Sequence, residues 1–128
     1  MMQVDPLLMP VLEGYSLDSS DIEGARSEGL ATSLRIVGTL TTPVPDSVAI
    51  QDIVIPGTPD VAARSYTPTG ARTRAALLFV HGGGWTTGSI VEANEHCGGL
   101  AAEADVVVLS VGYRLAPEHP FPAGLDDV

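Results

Sequence analysis

Two short, uninterrupted runs of apolar side chains set the strongest limit on how this chain can fold. Residues 75–80 (AALLFV) and 106–109 (VVVL) contain no polar residue, as is typical of strands covered on both faces of a parallel sheet. Residues 92–104 place small or apolar side chains on one helical face, namely Ala93, Cys97, Leu100, Ala101 and Ala104. We therefore predict the α/β fold class, with both runs as central strands joined by a right-handed helical crossover.

The N-terminal third of the chain has apolar residues at helical spacing. We predict a short amphipathic helix over residues 5–14, and a second helix that begins near Ser20 and Glu23, which have the spacing of a capping box. Gly24 and Gly29 argue against one continuous helix in this second stretch.

A Pro-rich break at residues 41–46 (TTPVPD) separates this helical part from an extended part. We place the domain boundary here, between residues 1–45 and residues 46–128. Residues 48–55 and 61–66 flank a turn rich in Pro and Gly, which predicts an antiparallel hairpin. Polar residues on both strands indicate that the hairpin lies at a sheet edge.

Composition excludes several classes of function. Sixteen acidic and 6 basic residues give a net charge of −10, so no basic surface can neutralise the phosphates of a nucleic acid. No apolar run approaches the roughly 20 residues that a membrane-spanning helix needs. The N-terminus lacks the basic residues of a secretion signal, and the single cysteine, Cys97, can form no internal disulfide. We therefore expect a cytoplasmic protein without nucleic-acid or membrane partners.

The motif at residues 81–85, HGGGW, comes directly after the first apolar run. Three successive glycines let the backbone turn sharply and approach a ligand closely. Two N–H groups that converge on one point form an oxyanion hole, which stabilises the charge on a carbonyl oxygen during acyl transfer. An ordinary strand-to-helix turn is the alternative, which the preceding strand and the flanking His81 and Trp85 disfavour.

Phosphate binding is a further alternative for a Gly-rich loop between a strand and a helix. Gly83 and Gly88 have the separation of the two P-loop glycines, but Ser89 and Ile90 stand where Lys and Ser or Thr are required. A dinucleotide fingerprint lacks its third glycine. No His, Cys or carboxylate cluster has the spacing of metal ligands, so we predict neither a cofactor nor a metal.

A second informative stretch follows the second apolar run, where residues 113–128 read YRLAPEHPFPAGLDDV. Together with HGGGW, this stretch resembles the hormone-sensitive-lipase-like branch of the α/β-hydrolase fold, a family with many bacterial carboxylesterases. The resemblance extends over about residues 48–128 and implies an α/β-hydrolase sheet, with residues 1–45 corresponding to the cap over the family's active site. It also implies hydrolysis of a small-molecule carboxylic ester through an acyl-enzyme.

The resemblance implies roles for individual residues of the motif. Gly83 and Gly84 would donate N–H groups to the oxyanion hole, and the residue after the nucleophile would supply a third donor. His81 would brace the loop, with Gly82 as a further supporting residue. Trp85 would line the substrate pocket, or else would be a plain core aromatic.

Two residues of the second stretch match structural positions of the family. Arg114 and Glu118 are expected to form an ion pair that fixes the loop after the fourth strand. Gly112 stands where the family commonly has Asp, so the hydrogen bonding of this loop is left open.

The sequence lacks a catalytic nucleophile of the kind that this fold uses. Ester hydrolysis requires a Ser in a Gly-x-Ser-x-Gly elbow, then an acid and a His, and no serine here has both glycines. Ser110 ends a strand, but the resemblance makes this the fourth strand, whereas the elbow follows the fifth. His96 and His119 do not fit the chain order of the triad.

We therefore expect an incomplete sheet whose third strand has an unpaired edge. The chain alone should be inactive, supplying the oxyanion-hole loop to an ester hydrolase, and it should form a homo-oligomer or need a complementing chain. A non-catalytic truncated product that binds a partner through the open edge is the alternative.

Overall fold

A computed structural model describes residues 21–70, 72 and 75–128. The helix predicted over residues 5–14 lies outside these ranges. The elements in chain order are α1 (Ile22–Leu40), β1 (Val48–Ile55), β2 (Val61–Pro68), β3 (Ala76–Val80), α2 (Asn94–Ala104), β4 (Val107–Gly112) and α3 (Ala123–Asp126).

The strands form one four-stranded mixed sheet in the order β1-β2-β4-β3. β1 and β2 pair antiparallel, as predicted for the hairpin, and β2 also pairs antiparallel with β4. β3 and β4 pair parallel, with Ala76 opposite Val107, which confirms the predicted strand–helix–strand unit. The sheet agrees with the expected incomplete α/β-hydrolase sheet, and β3 occupies one edge within the described residues.

The two apolar runs have different surroundings. β4 lies inside the sheet, where Val108 is fully buried, whereas Leu77, Leu78 and Val80 of β3 are 37–49% exposed. The expectation that both runs are covered on both faces is therefore wrong for β3. Its apolar residues suit a covered strand, but the described part of the chain leaves one of its edges unpaired and its side chains partly in solvent.

The core lies between α2 and the sheet. It consists of six buried residues, Val48, Tyr66, Ala93, Cys97, Ala101 and Val108. A Cβ on Gly98 of α2 would overlap the side chain of Val44, so this glycine lets α2 approach the segment before β1. Burial also raises the pKa of the Cys97 thiol, in keeping with a small apolar packing role.

Helix α1 is continuous through both of its glycines and begins one residue later than a Ser20 cap requires. The Asp21 carboxylate accepts a hydrogen bond of 2.8 Å from the Gly24 N–H, the bond that an N-cap side chain makes. Asp21 therefore acts as a cap of α1, because a carboxylate just before the helix can accept from the free N–H groups of the first turn. Ser20 of the predicted capping box lies outside the described residues.

Candidate active site

The HGGGW loop follows β3 and has an unusual backbone. Gly83, Gly84 and Trp85 have successive φ values of 119°, 59° and 61°, in the region that L-residues rarely adopt. A Cβ on Gly83 would also overlap the carbonyl of Thr87. Glycine is therefore required at position 83 for both its conformation and its space.

Hydrogen bonds to the Gly83 carbonyl orient the N–H of Gly84. The N–H groups of Thr86 and Thr87 donate to the Gly83 oxygen at 3.1 and 3.0 Å. The carbonyl of one residue and the N–H of the next belong to one planar trans peptide and point in opposite directions. Fixing the Gly83 oxygen therefore aims the Gly84 N–H away from the turn.

The ring of His81 orients the preceding peptide, between Gly82 and Gly83, in the same way. Its Nδ1 lies 2.8 Å from the Gly82 oxygen, and Nδ1 must be the donor because a carbonyl can only accept. This bond orients the Gly83 N–H. Within the described ranges, neither the Gly83 N–H nor the Gly84 N–H has a hydrogen-bond partner.

Tyr113 packs against His81 and binds its carbonyl. The two rings stack with their centroids 4.3 Å apart, and the Tyr113 hydroxyl donates to the His81 carbonyl at 2.8 Å. His81 is 7% exposed and Tyr113 6%. The geometry gives His81 contacts that brace the loop.

Trp85 lines a cavity and is 68% exposed in the structure. Its carbonyl accepts a hydrogen bond of 2.8 Å from the Ala116 N–H. The cavity has a volume of about 400 Å³ and is mostly apolar. Its lining residues are Trp85, Arg114, Ala116, His119, Phe121, Pro122, Gly124 and Leu125.

The expected ion pair between Arg114 and Glu118 is wrong. The Arg114 side chain binds Asp127 instead, with Nη2 to Oδ1 at 2.8 Å and Nε to Oδ2 at 2.9 Å, and its backbone N–H donates to the same carboxylate at 2.8 Å. These bonds lower the pKa of Asp127. A four-residue spacing brings side chains together only on a helix, and residues 114–118 are not helical.

Glu118 pairs with Arg26 of α1, a residue that the sequence did not single out. Both guanidinium Nη atoms donate to the carboxylate at 2.9 Å. The bonds lower the pKa of Glu118 to about 2. No local pattern marks this pair, because 92 positions separate the two residues.

Gly112 and His96 also stood out in the sequence, and His96 lines a second cavity that Gly83 lines as well. Gly112 ends β4, where a Cβ would lie 3.1 Å from the Ala62 carbonyl oxygen, so the lack of a side chain suits the ladder. The His96 ring contacts the Phe79 ring, with 5.3 Å between centroids. Among the described residues there is no cluster of three potential metal ligands and no helix able to cross a membrane.

Comparisons with known proteins agree with this architecture. A sequence profile described as the alpha/beta hydrolase fold matches residues 77–128. The carboxylic ester hydrolase LipN of Mycobacterium tuberculosis is 44% identical over 62% of the chain, which spans 22% of that relative. The carboxylesterase NlhH of the same species is 32% identical over 97% of the chain.

Solved structures give the same result. The Pyrobaculum calidifontis esterase superposes with a TM-score of 0.80 at 33% identity, covering 98% of this chain and 40% of that one. A bacterial heroin esterase has the same TM-score at 31% identity, covering 97% and 40%. The chain thus spans between about a fifth and two fifths of the length of these relatives. From its sheet, its motifs and these similarities, the chain has the α/β-hydrolase fold and matches the amino-terminal part of hormone-sensitive-lipase-like carboxylesterases.

Proposed function

We propose that this chain supplies the oxyanion-hole loop of a carboxylic ester hydrolase that acts through an acyl-enzyme. The observation that carries the proposal is the pair of N–H groups on Gly83 and Gly84, each aimed by a hydrogen bond to the carbonyl of the same peptide. Donors fixed in advance stabilise a developing oxyanion without reorganisation, and each contributes about 2.7–4 kcal/mol to lowering the barrier.

The other parts of the reaction must come from polypeptide outside this sequence. A serine elbow would provide the nucleophile, and an acid and a His would activate it. The cavity beside Trp85 is mostly apolar, so we expect the substrate to be a small ester that places an apolar group next to the loop. Arg114 and Glu118 contribute only by holding the surrounding loop.

A chimera tests the proposal. Residues 1–128 would replace the matching segment of the Pyrobaculum calidifontis esterase, and hydrolysis of p-nitrophenyl butyrate would be measured. We expect turnover, and we expect Gly83→Ala to lower kcat by about 100- to 1,000-fold, the loss typical of one oxyanion donor. Gly99→Ala is the matched control, because a Cβ there meets no atom within 4 Å.

Two results would contradict the proposal: a folded chimera that does not turn over although a fluorophosphonate probe labels its serine, or full activity of the Gly83→Ala variant. The chain by itself should remain unlabelled by the probe, since it contains no serine elbow.

A second candidate function is binding of a partner chain through β3 without catalysis. The exposed side chains Leu77, Leu78 and Val80 on an edge strand favour it, because an unpaired edge is a template for another strand. Sedimentation velocity should show self-association that Leu78→Lys reduces. Val54→Lys on β1, at the opposite edge and 62% exposed, is the control, and equal effects of both changes would exclude a β3 interface.

A further inference from the structure

We propose that Arg26 is a positioning residue for the oxyanion-hole loop. Through its side chain, the packing of α1 is linked to the geometry of the loop, so that a change in one changes the other. This inference rests on the function proposed above. Arg26 lies in the first two turns of α1, and its side chain reaches the loop and the segment after β4 at the same time.

The guanidinium group binds two backbone carbonyls besides the carboxylate. Nε donates to the Thr86 oxygen at 2.8 Å, and Nη2 donates to the Ala116 oxygen at 2.7 Å. The Glu118 carboxylate accepts from both Nη atoms. The side chain therefore makes four hydrogen bonds to three residues on two loops.

Both carbonyl acceptors belong to residues that help to hold the glycine turn. Thr86 donates its N–H to the Gly83 oxygen, and Ala116 donates its N–H to the Trp85 oxygen. Arg26 thus fixes the carbonyl side of two of the residues whose amides hold the HGGGW loop. Losing Arg26 would loosen both of these contacts at once and leave the Thr87 N–H as the remaining backbone donor to the Gly83 oxygen, so the Gly84 N–H could change direction.

This arrangement differs from an ordinary surface ion pair. The Arg26 and Glu118 side chains are 27% and 55% exposed, and an exposed pair by itself contributes little to stability. The carbonyl bonds require the fixed fork of guanidinium donors, which a lysine ammonium cannot reproduce. Arg26 therefore orders the loop mainly through its hydrogen bonds to the two carbonyls, and the ion pair with Glu118 contributes less.

The chain offers a direct probe of the loop, since Trp85 is the only tryptophan. We expect Arg26→Ala to shift the Trp85 emission and to increase acrylamide quenching, with far-UV circular dichroism unchanged. Arg64→Ala is the matched control: Arg64 also makes a two-oxygen pair, with Asp52, but it contacts neither loop. Arg26→Lys is the milder variant should the alanine variant not fold, and it should show the same shift.

A charge swap separates the carbonyl bonds from the ion pair. The double variant Arg26→Glu with Glu118→Arg restores the opposite charges, but a carboxylate at position 26 cannot donate to the Thr86 and Ala116 carbonyls. We expect the swap to behave like Arg26→Ala. Wild-type fluorescence in the swap, or in Arg26→Ala, would overturn the inference.

Kinetics of the chimera give a second readout. We expect Arg26→Ala to lower kcat by about ten- to a hundred-fold with little change in KM, as a misplaced catalytic group does. An unchanged kcat in an active chimera would overturn the positioning role and leave the proposed function intact. A Trp85 response in the chain together with an inactive wild-type chimera would support the linkage and contradict the proposed function.

Discussion

Replacing Tyr113 by phenylalanine removes the hydroxyl group that contacts the first residue of the HGGGW loop and leaves the ring stacked on His81. The hydroxyl donates to the His81 carbonyl at 2.8 Å, in a place where both residues are less than a tenth exposed. In the variant, the carbonyl oxygen stays buried and loses this donor. A buried acceptor left without its donor costs about 1–3 kcal/mol, against about 0.5–1.5 kcal/mol for a hydrogen bond whose loss leaves no unsatisfied group.

Tyr66→Phe is the matched control, because it removes another buried hydroxyl. The Tyr66 hydroxyl donates to Asn94 Oδ1 at 3.1 Å, and that oxygen also accepts from Arg64 at 3.2 Å. Its acceptor therefore keeps a partner after the change. We expect a loss of about 1.5–2.5 kcal/mol for Tyr113→Phe and about 0.5–1 kcal/mol for Tyr66→Phe.

Urea and thermal unfolding followed by circular dichroism would measure both losses, with about 3–5 °C of Tm expected per kcal/mol for a domain of this size. Trp85 emission in the folded state gives the second readout, and only Tyr113→Phe should change it. Equal destabilisation by the two variants, with unaltered Trp85 emission in both, would refute the argument that Tyr113 supports the loop through the His81 carbonyl.

Three other predictions follow from the packing and the pKa shifts. Gly98→Ala should destabilise the fold by about 1–3 kcal/mol through overpacking, whereas Gly99→Ala next to it should stabilise it by about 0.5–1 kcal/mol through helix propensity; paired urea titrations would show the opposite signs. Asp127→Ala should lower the free energy of unfolding, because the Arg114 side chain and backbone N–H both lose the carboxylate that accepts from them, and Asp126→Ala, an exposed neighbour, should be near neutral in the same assay. Burial raises the pKa of Tyr66 to about 12, above about 10 in the unfolded chain, so its stabilising contribution is complete below pH 10 and is lost as pH rises towards 12. Urea midpoints at the two ends of this range should differ less in Tyr66→Phe than in the wild type.

The backbone of this fold was largely predictable, because strand and helix signals are local. The predicted strand over residues 48–55 coincides with β1, and the second strand is longer than predicted by two residues. The apolar run at residues 106–109 marks β4, whose position inside the sheet makes its burial match its sequence. The run at 75–80 predicts a strand equally well, but it cannot predict exposure, because exposure depends on which other strands are present.

Side-chain pairing was much less predictable. Arg114 and Glu118 are four positions apart, and each pairs with a charge elsewhere. The partner of Arg114 is 13 positions away and that of Glu118 is 92 positions away. Which charges pair therefore depends on how a turn and a helix pack in the folded protein. For the candidate site, the glycines predicted the sharp turn of the loop and its positive φ values. No sequence pattern marked Arg26, apart from its charge.

The contacts around the glycines resolve a conflict that the proposed oxyanion hole raises. An oxyanion hole must be ordered before the substrate arrives, yet glycine loses more conformational freedom on ordering than any other residue. Here the order comes from outside the glycines, since His81 fixes the Gly82 oxygen and the two threonines fix the Gly83 oxygen. The threonine turn is in turn tied to α1 by Arg26. A change that leaves every glycine in place can therefore remove the proposed function of the loop, and the outer contacts are where the sharpest mutational effects should lie.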